Sequence, residues 1–346
     1  MSENISFTSA NFVLQWHITE RCNLRCKHCY QTNYTDHNEL NYEQWLMVID
    51  QFNQLIDYLQ DKTSQKIKIH INLTGGEPFI HDDFLRLLTE IRRRNFCSFG
   101  ILTNGTYITS EIAEKLKSLK TSFVQVSMEG GEKTHDSIRS IGSFEKTITS
   151  IRILKKIGIK VLVSFTVHKG NVSEFEEVVK ICKKEKVDKV WSDRLIPTGS
   201  GENMQSLSPT ETETFFKKMH LLNTSKKWYQ KKSLIEVSCN RALQFLVSGS
   251  YPYKCSAGDS LLTIQANGDV YPCRRMPIWV GNVLQQTLKD IYISNSDLQT
   301  LRSPLATGNE CSPCLFKHHC NGGLKCLSYA TTGTYTTKDP GCWLKI

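Results

Sequence analysis

The sequence has no apolar run long enough to cross a bilayer; stretches such as VLVSFTV (Val161–Val167) are of strand length. Its first residues, MSENISFTSANF, carry neither a basic n-region nor an apolar h-region. No secretory signal is read there, and a cytoplasmic protein with no membrane partner is expected. At 39% hydrophobic and 22% charged residues, the composition excludes a disordered or fibrous chain, and 346 residues suffice for a large core and more than one domain. Acidic residues are the scarcer charge, 34 against 43 Lys and Arg. The net charge of +9 favours anionic partners (nucleic acid, cofactor phosphates or an acidic peptide) without choosing among them. The most basic run, FFKKMHLLNTSKKWYQKK at 215–232, interleaves Trp228 and Tyr229 with lysines. A solvated helix face is the leading reading of it and a nucleic-acid surface the lesser.

Cysteine is the residue present in excess. Thirteen thiols are too many for an ordinary protein of a reducing compartment, where disulfides do not persist, so metal ligation is the better reading. Ten of them fall in two groups with the spacing of ligand loops. Of the isolated three, Cys97 and Cys182 read as small core residues, and Cys239 stays open.

From residue 13 to about 197, β-rich runs (FVLQWHIT, KIKIHINLTGGE, FGILTNG, FVQVSME, KVLVSFTV, VDKVWSDRLIP) alternate with amphipathic stretches. Helices are expected over 42–59, 83–94, 111–119, 144–157 and 174–184, the second with a His-Asp-Asp cap signal and the fourth opening after Ser143. This alternation predicts parallel strands joined by right-handed crossovers, six units of an α/β sheet too short for a closed eight-stranded barrel. In such folds the chemistry collects at the C-terminal strand ends. The segment TGSGENMQSLSPT (198–210) reads as a polar linker before a helix over about 211–232. From Cys255 onward the chain is turn-rich, with seven cysteines and a hairpin signal at Asn267-Gly268, so a second domain that needs metal to hold it is expected.

The first thiol group, Cys22-x3-Cys26-x2-Cys29, lies on the loop after the first strand. Thiolates select zinc or iron–sulfur. A structural zinc site wants four ligands, and His28 and His37 are the only local candidates to complete one. A [4Fe–4S] cube held by three cysteines instead leaves one iron open for a small chelating ligand. At the end of the second strand stands Gly75-Gly76-Glu77-Pro78, where the glycines allow close backbone approach and Glu77 offers an acceptor for an ammonium group.

Together these residues resemble the radical S-adenosylmethionine (radical SAM) superfamily: Cys22, Cys26 and Cys29 match its cysteine motif, and Gly75, Gly76 and Glu77 its methionine-amine motif. The resemblance implies a partial (β/α)6 TIM-like barrel with a [4Fe–4S] cluster whose fourth ligand is the amino and carboxylate groups of S-adenosyl-L-methionine. An electron from that cluster to the sulfonium would release methionine and a hydrogen-abstracting 5′-deoxyadenosyl radical. Further family-like positions are Thr103 and Asn104 at the third strand end, Ser127 and Glu129 at the fourth, Ser164 on the fifth, and Arg139. Ser164 and Arg139 are expected to contact ribose or carboxylate.

The C-terminal cysteines resemble the SPASM extension of such enzymes, which carries two auxiliary [4Fe–4S] clusters. By position, Cys311, Cys314, Cys320 and Cys342 would hold one cluster, and Cys255, Cys273 and Cys326 the other. Two zinc knuckles are the alternative. Leu324 occupies an expected cysteine position, so Cys326 is taken as the displaced ligand. Leu261 and Arg274 stand where sulfatase-maturing members carry Cys and Asp, which argues against that activity. The trio lacks a fourth ligand: Cys239 could supply it, or the position is open or non-cysteine, the reading favoured here.

The resemblance implies residues 13–200 as a radical SAM core, 201–250 as a helical bridge and 251–346 as the SPASM domain. SPASM-bearing enzymes mostly modify peptides, so the leading expectation is an oxidoreductase that matures a ribosomally synthesised precursor peptide by carbon–carbon or thioether cross-linking or epimerisation. An electron donor of flavodoxin or ferredoxin type is implied. With the first strand expected at residue 13, no N-terminal leader-recognition domain is expected, and a separate adaptor protein or a direct groove would serve. The alternatives are a small-molecule substrate such as a tetrapyrrole side chain, and a non-catalytic zinc-stapled nucleic-acid-binding protein. Glu129 and Asp193, near strand ends, are the candidate catalytic residues, although a buried ion pair of Asp193 with Arg194 is the stronger reading of that site.

Overall fold

The computed structural model describes residues 7, 9–224, 235–303 and 308–345. In chain order the elements begin with β1 (Asn11–His17), α1 (Tyr42–Thr63), β2 (Lys68–Thr74), α2 (Phe84–Arg94), β3 (Ser98–Thr103) and α3 (Ser110–Ser118). There follow β4 (Val124–Ser127), α4 (Glu132–Ile138), α5 (Ser143–Ile157), β5 (Val161–Val167), α6 (Phe175–Lys184), β6 (Lys189–Arg194) and α7 (Pro209–Thr224). The C-terminal part holds β7 (Glu236–Ser238), α8 (Phe245–Ser248), β8 (Leu261–Ile264), β9 (Asp269–Tyr271) and β10 (Gly281–Asn282). It ends with α9 (Leu288–Ser294), α10 (Ser296–Arg302), α11 (Lys317–Cys320) and α12 (Lys325–Thr332). No described helix is long and apolar enough to cross a membrane.

The six expected strands are all present and pair in parallel in the order β1-β2-β3-β4-β5-β6. α1 shows why the helices form where they do. Asn41 and Gln44 make a reciprocal capping box, and Trp45, Val48, Ile49, Phe52, Leu55, Ile56 and Leu59 place one buried stripe against the sheet. Burying those seven side chains is worth on the order of 10–20 kcal/mol before the entropy of ordering is subtracted. The expected cap of α2 differs: Asp83 makes no side-chain cap bond, and its own N–H donates to Nδ1 of His81. Ser143 is the first residue of α5 rather than the residue before it.

The sheet is longer than the sequence suggested. β7 adds in parallel to β6, and β8 adds in parallel to the outer edge of β1, carrying β9 and β10 with it as antiparallel strands. An unpaired β1 would expose a row of backbone donors and acceptors, which the C-terminal hairpin covers. Leu262, Ile264, Val270, Ile291 and Tyr292 therefore join the same core as Leu14, Trp16 and Phe52, so the segment after Cys255 is held by packing as well as by its thiols. The hairpin turn falls where Asn267-Gly268 predicted, with Gly268 at φ 86°. Cys182 is buried in the core, and Cys97 is half-buried against its edge. In the basic run, Phe215, Phe216 and Met219 of α7 are buried; its remainder from 225 lies outside the described residues.

Strand alternation decides what faces the site. Along β5, Val161, Val163, Phe165 and Val167 are buried under the helices, while Ser164 and Thr166 point the other way into a cavity at the strand ends. Gln125 and Ser127 of β4 and Trp191 and Asp193 of β6 follow the same alternation.

Candidate functional site

The cavity has a volume of about 160 Å³ and lies at the C-terminal ends of β2 to β6. Its walls are the cysteine loop, the strand ends and, from the other half of the chain, Arg274 and Arg275. Cys22, Cys26 and Cys29 all line it.

Backbone bonds fix the cysteine loop against the glycine pair. Gly76 N donates to the Thr19 carbonyl (2.8 Å) and Glu77 N to that of Arg21 (2.9 Å). A Cβ on Gly76 would overlap the Arg21 carbonyl and come to 2.7 Å from that of Glu20, so this approach requires glycine. Glu39 anchors the other side, accepting from Thr19 Oγ1 (2.6 Å) and Glu20 N (2.7 Å). The 198–210 segment, read as a linker, lies on this loop: Gly201 N donates to the Cys29 carbonyl at 3.3 Å.

Glu77 corrects the sequence reading. Its carboxylate does not line the cavity as an acceptor for an ammonium group. It is fully buried and accepts from Thr103 Oγ1 (2.8 Å), Asn104 N (2.8 Å) and Phe79 N (3.3 Å), clamping the ends of β2 and β3 together. Burial pushes its carboxyl up to about 7 against the pull of these donors. Thr103 and Asn104 do face the cavity, but the Thr103 hydroxyl is committed to Glu77, and Asn104 Nδ2 donates to Asn23 of the cysteine loop (2.9 Å). Gly75, Gly76, Ser127, Ser164 and Arg139 also line the cavity, with Ser127 and Ser164 at one level on paired strands.

The two candidate catalytic carboxylates are both engaged. Glu129 does not reach the cavity; it accepts from Arg139 Nη2 (2.7 Å) and Thr166 N (3.0 Å) and pairs with His28 Nε2 (3.2 Å). Burial alone would raise its carboxyl, but His28 and Arg139 hold it well below the usual range. It is a positioning residue for Arg139, whose Nη1 lies 3.7 Å from Cys26 Sγ. Asp193 lines the cavity but pairs with Arg275 Nη1 (2.6 Å) and not with Arg194. Arg194 makes a bidentate bond to Asp339 instead, both contacts at 2.6 Å. Sequence reasoning had no signal for either partner, because each lies in the C-terminal segment.

The thiols of that segment fall in two neighbourhoods. Cys255, Cys273 and Cys326 lie together: burial raises the Cys255 and Cys326 thiols, their mutual charges raise them further, and Arg275 beside Cys326 and Lys325 beside Cys255 pull the other way. Cys311, Cys314, Cys320 and Cys342 line a second, apolar cavity with Phe245 and Phe316. Burial pushes Cys320 up to about 12. Leu324 is a core residue at the start of α12, two positions before Cys326. Cys239 packs in the core with Sγ 3.9 Å from the Val237 carbonyl, and burial alone, with no thiol neighbour, accounts for its raised value. It is not with the trio.

The donor sets fit iron–sulfur clusters. Burial holds Cys22 up to about 11 as a free thiol, a cost that metal coordination offsets by displacing the proton. Sulfur acceptors are served by N–H donors, as at Cys22 from Leu24 N (3.5 Å) and Cys314 from Phe316 N (3.4 Å), which is how proteins tune such clusters. Among the described residues no three His, Cys, Asp or Glu side chains close to the spacing of a single metal ion.

Residues 16–184 match the Radical SAM superfamily, and residues 255–321 match SPASM, an iron-sulfur cluster-binding domain. The chain is 28% identical to the AdoMet-dependent heme synthase of Methanosarcina barkeri over 98% of both chains. It is 26% identical to the pre-heme d1 synthase of Dinoroseobacter shibae, covering 96% of this chain and 86% of that one. It is also 26% identical to the mycofactocin maturase MftC of Mycobacterium tuberculosis, covering 96% and 83%. Among solved structures, Streptococcus suis SuiB bound to S-adenosylmethionine matches with TM-score 0.77 at 19% identity, over 99% of this chain and 79% of that one. anSMEcpe with bound AdoMet matches with TM-score 0.75 at 18% identity, over 96% and 94%. At these identities the solved structures show a shared fold. The barrel half binds a [4Fe–4S] cluster and SAM, and the C-terminal half binds auxiliary iron–sulfur clusters. The first match covers Cys22, Cys26 and Cys29, the second covers Cys255, Cys273, Cys311, Cys314 and Cys320 and stops short of Cys326 and Cys342, and the protein is an enzyme of the radical SAM superfamily, in its SPASM-bearing branch.

Proposed function

We propose that this enzyme matures a ribosomally made peptide by abstracting hydrogen from one of its carbons. The observation that carries the reaction class is the single cavity in which three thiols and a glycine pair meet polar strand ends and two arginines of the C-terminal half. When bound, the cluster and SAM supply a 5′-deoxyadenosyl radical. The chain's own part is to hold and orient. Cys22, Cys26 and Cys29 hold the cluster; Gly75 and Gly76 let backbone approach the methionine end; Ser127, Ser164 and Arg139 face the remaining SAM polar groups. The C-terminal thiol sets hold the auxiliary clusters, with the fourth position of the Cys255–Cys273–Cys326 set not filled by cysteine. A reducing protein of flavodoxin or ferredoxin type is the partner this reading calls for, and the peptide would be presented by a separate adaptor or bound directly in a groove.

A peptide substrate is supported by the likeness to a maturase over 96% of this chain. Leu24, Leu102 and Ile196 with the rings of Tyr30, Tyr34 and Trp191 give the cavity an apolar wall that an apolar peptide side chain could fill. A second reading, modification of a tetrapyrrole side chain, is favoured by the likeness to three synthases named for haem-type products. Anaerobically reconstituted, reduced protein is incubated with SAM and either a short peptide encoded beside its gene or iron-coproporphyrin III. A mass or stereochemical change in the peptide, with 5′-deoxyadenosine formed, is expected. A changed macrocycle with an unchanged peptide would replace the first reading by the second.

A further inference from the structure

Four guanidinium groups line the cavity, those of Arg139, Arg194, Arg274 and Arg275. Three have a carboxylate of their own: Glu129 for Arg139 (2.7 Å), Asp339 for Arg194 (2.6 Å) and Asp193 for Arg275 (2.6 Å). Arg274 has none among the described residues, and its buried Nε has no hydrogen-bond partner. Its nearest aromatic contact is the Tyr30 ring, whose centroid is 5.9 Å away. The adjacent His17 is buried and neutral, so it adds no cation and supplies no anion. Arg274 is half-buried, and an unpaired guanidinium with a buried, unpartnered Nε is stabilised by an incoming anion. The position is also set firmly. Arg274 follows Cys273 in the C-terminal half, and its backbone N–H donates to Gln15 Oε1 of β1 at 3.4 Å, so the side chain is delivered across the seam between the two halves. Guanidinium forks match carboxylates in geometry as well as charge.

We infer that Arg274 is a substrate-binding residue that anchors a carboxylate of the substrate, opposite the SAM-facing strand ends. This rests on the cavity being the reaction site, and it narrows the substrate to one bearing a carboxylate near the carbon that reacts. The same chemistry is offered by an acidic peptide side chain and by a macrocycle's propionate.

Calorimetric titration of the reconstituted, SAM-bound holoenzyme tests it with three probes: N-acetylglutamate α-amide, N-acetylglutamine α-amide and iron-coproporphyrin III. Arg274→Gln is expected to weaken binding of the carboxylate probe that the wild type selects by about tenfold or more, and Arg274→Lys by less, with iron content and SAM affinity as in wild type. The neutral glutamine probe is expected to bind wild type and Arg274→Gln alike. Equal carboxylate affinity in wild type and Arg274→Gln would overturn the inference. So would a loss confined to SAM affinity, which would place the guanidinium on the cofactor's carboxylate instead. Arg274-dependent binding of the macrocycle alone upholds the anchor while overturning the peptide reading.

Discussion

Glu77 is an ionisable group buried beside a cofactor site and held by three donors, from Thr103, Asn104 and Phe79. Its raised carboxyl gives a signed prediction. In the unfolded chain it ionises near its ordinary value of 4.5; in the fold it does so near 7. Between those values the folded state binds more protons, so stability falls as pH rises from 4.5 and the loss is complete once pH passes about 7. From about pH 6 to about pH 8, wild type should lose about 1 kcal/mol more than Glu77→Gln in chemical denaturation. Parallel pH profiles would show that the carboxyl is not shifted. The sequence placed Glu77 at the site but not its direction, because GGE fixes a backbone path while the carboxylate's partners come from the next strand end.

At the scale of elements, the junction of the β1 loop with the β2 loop is the tightest constraint. Gly76→Ala drives a Cβ into the Arg21 and Glu20 carbonyls, and backbone cannot yield as a side-chain tip does. The cysteine loop must shift, so Gly76→Ala is expected to lower SAM affinity by about tenfold or more and to reduce iron bound per chain. Wild-type values of both would mean that the loop moves at no cost. The six strands, their helices and the grouping of ten thiols were legible, since periodicity and spacing are local properties. α4 was missed because seven residues carry too short a period, and β7 because three residues carry no pattern.

At the scale of the molecule, the halves are joined by a shared sheet and by buried ion pairs. Arg194 of β6 and Asp339 are 4% and 1% exposed, and Asp339 also accepts from Leu324 N (2.8 Å) and Gly341 N (2.9 Å) beside Cys342. Asp339→Ala leaves a buried guanidinium unpaired and is expected to cost about 3–5 kcal/mol in denaturant unfolding. Adding Arg194→Met should cost less than the sum of the two single changes by more than about 1 kcal/mol. Strict additivity would mean that the pair does not bind the halves together.

The sequence by itself determined the chemistry. Thiol spacing and a glycine pair specify a cofactor type, because ligands on one loop are near in space whatever surrounds them. Tertiary structure decided which charges meet. Asp193 with Arg275 and Arg194 with Asp339 are contacts between residues remote in the chain, and Arg274 has no carboxylate partner among the described residues; all three follow from how the C-terminal segment docks on the strand ends. No local pattern encodes such pairings, because they depend on how segments remote in the chain dock, including which strand edge the hairpin covers and at what register.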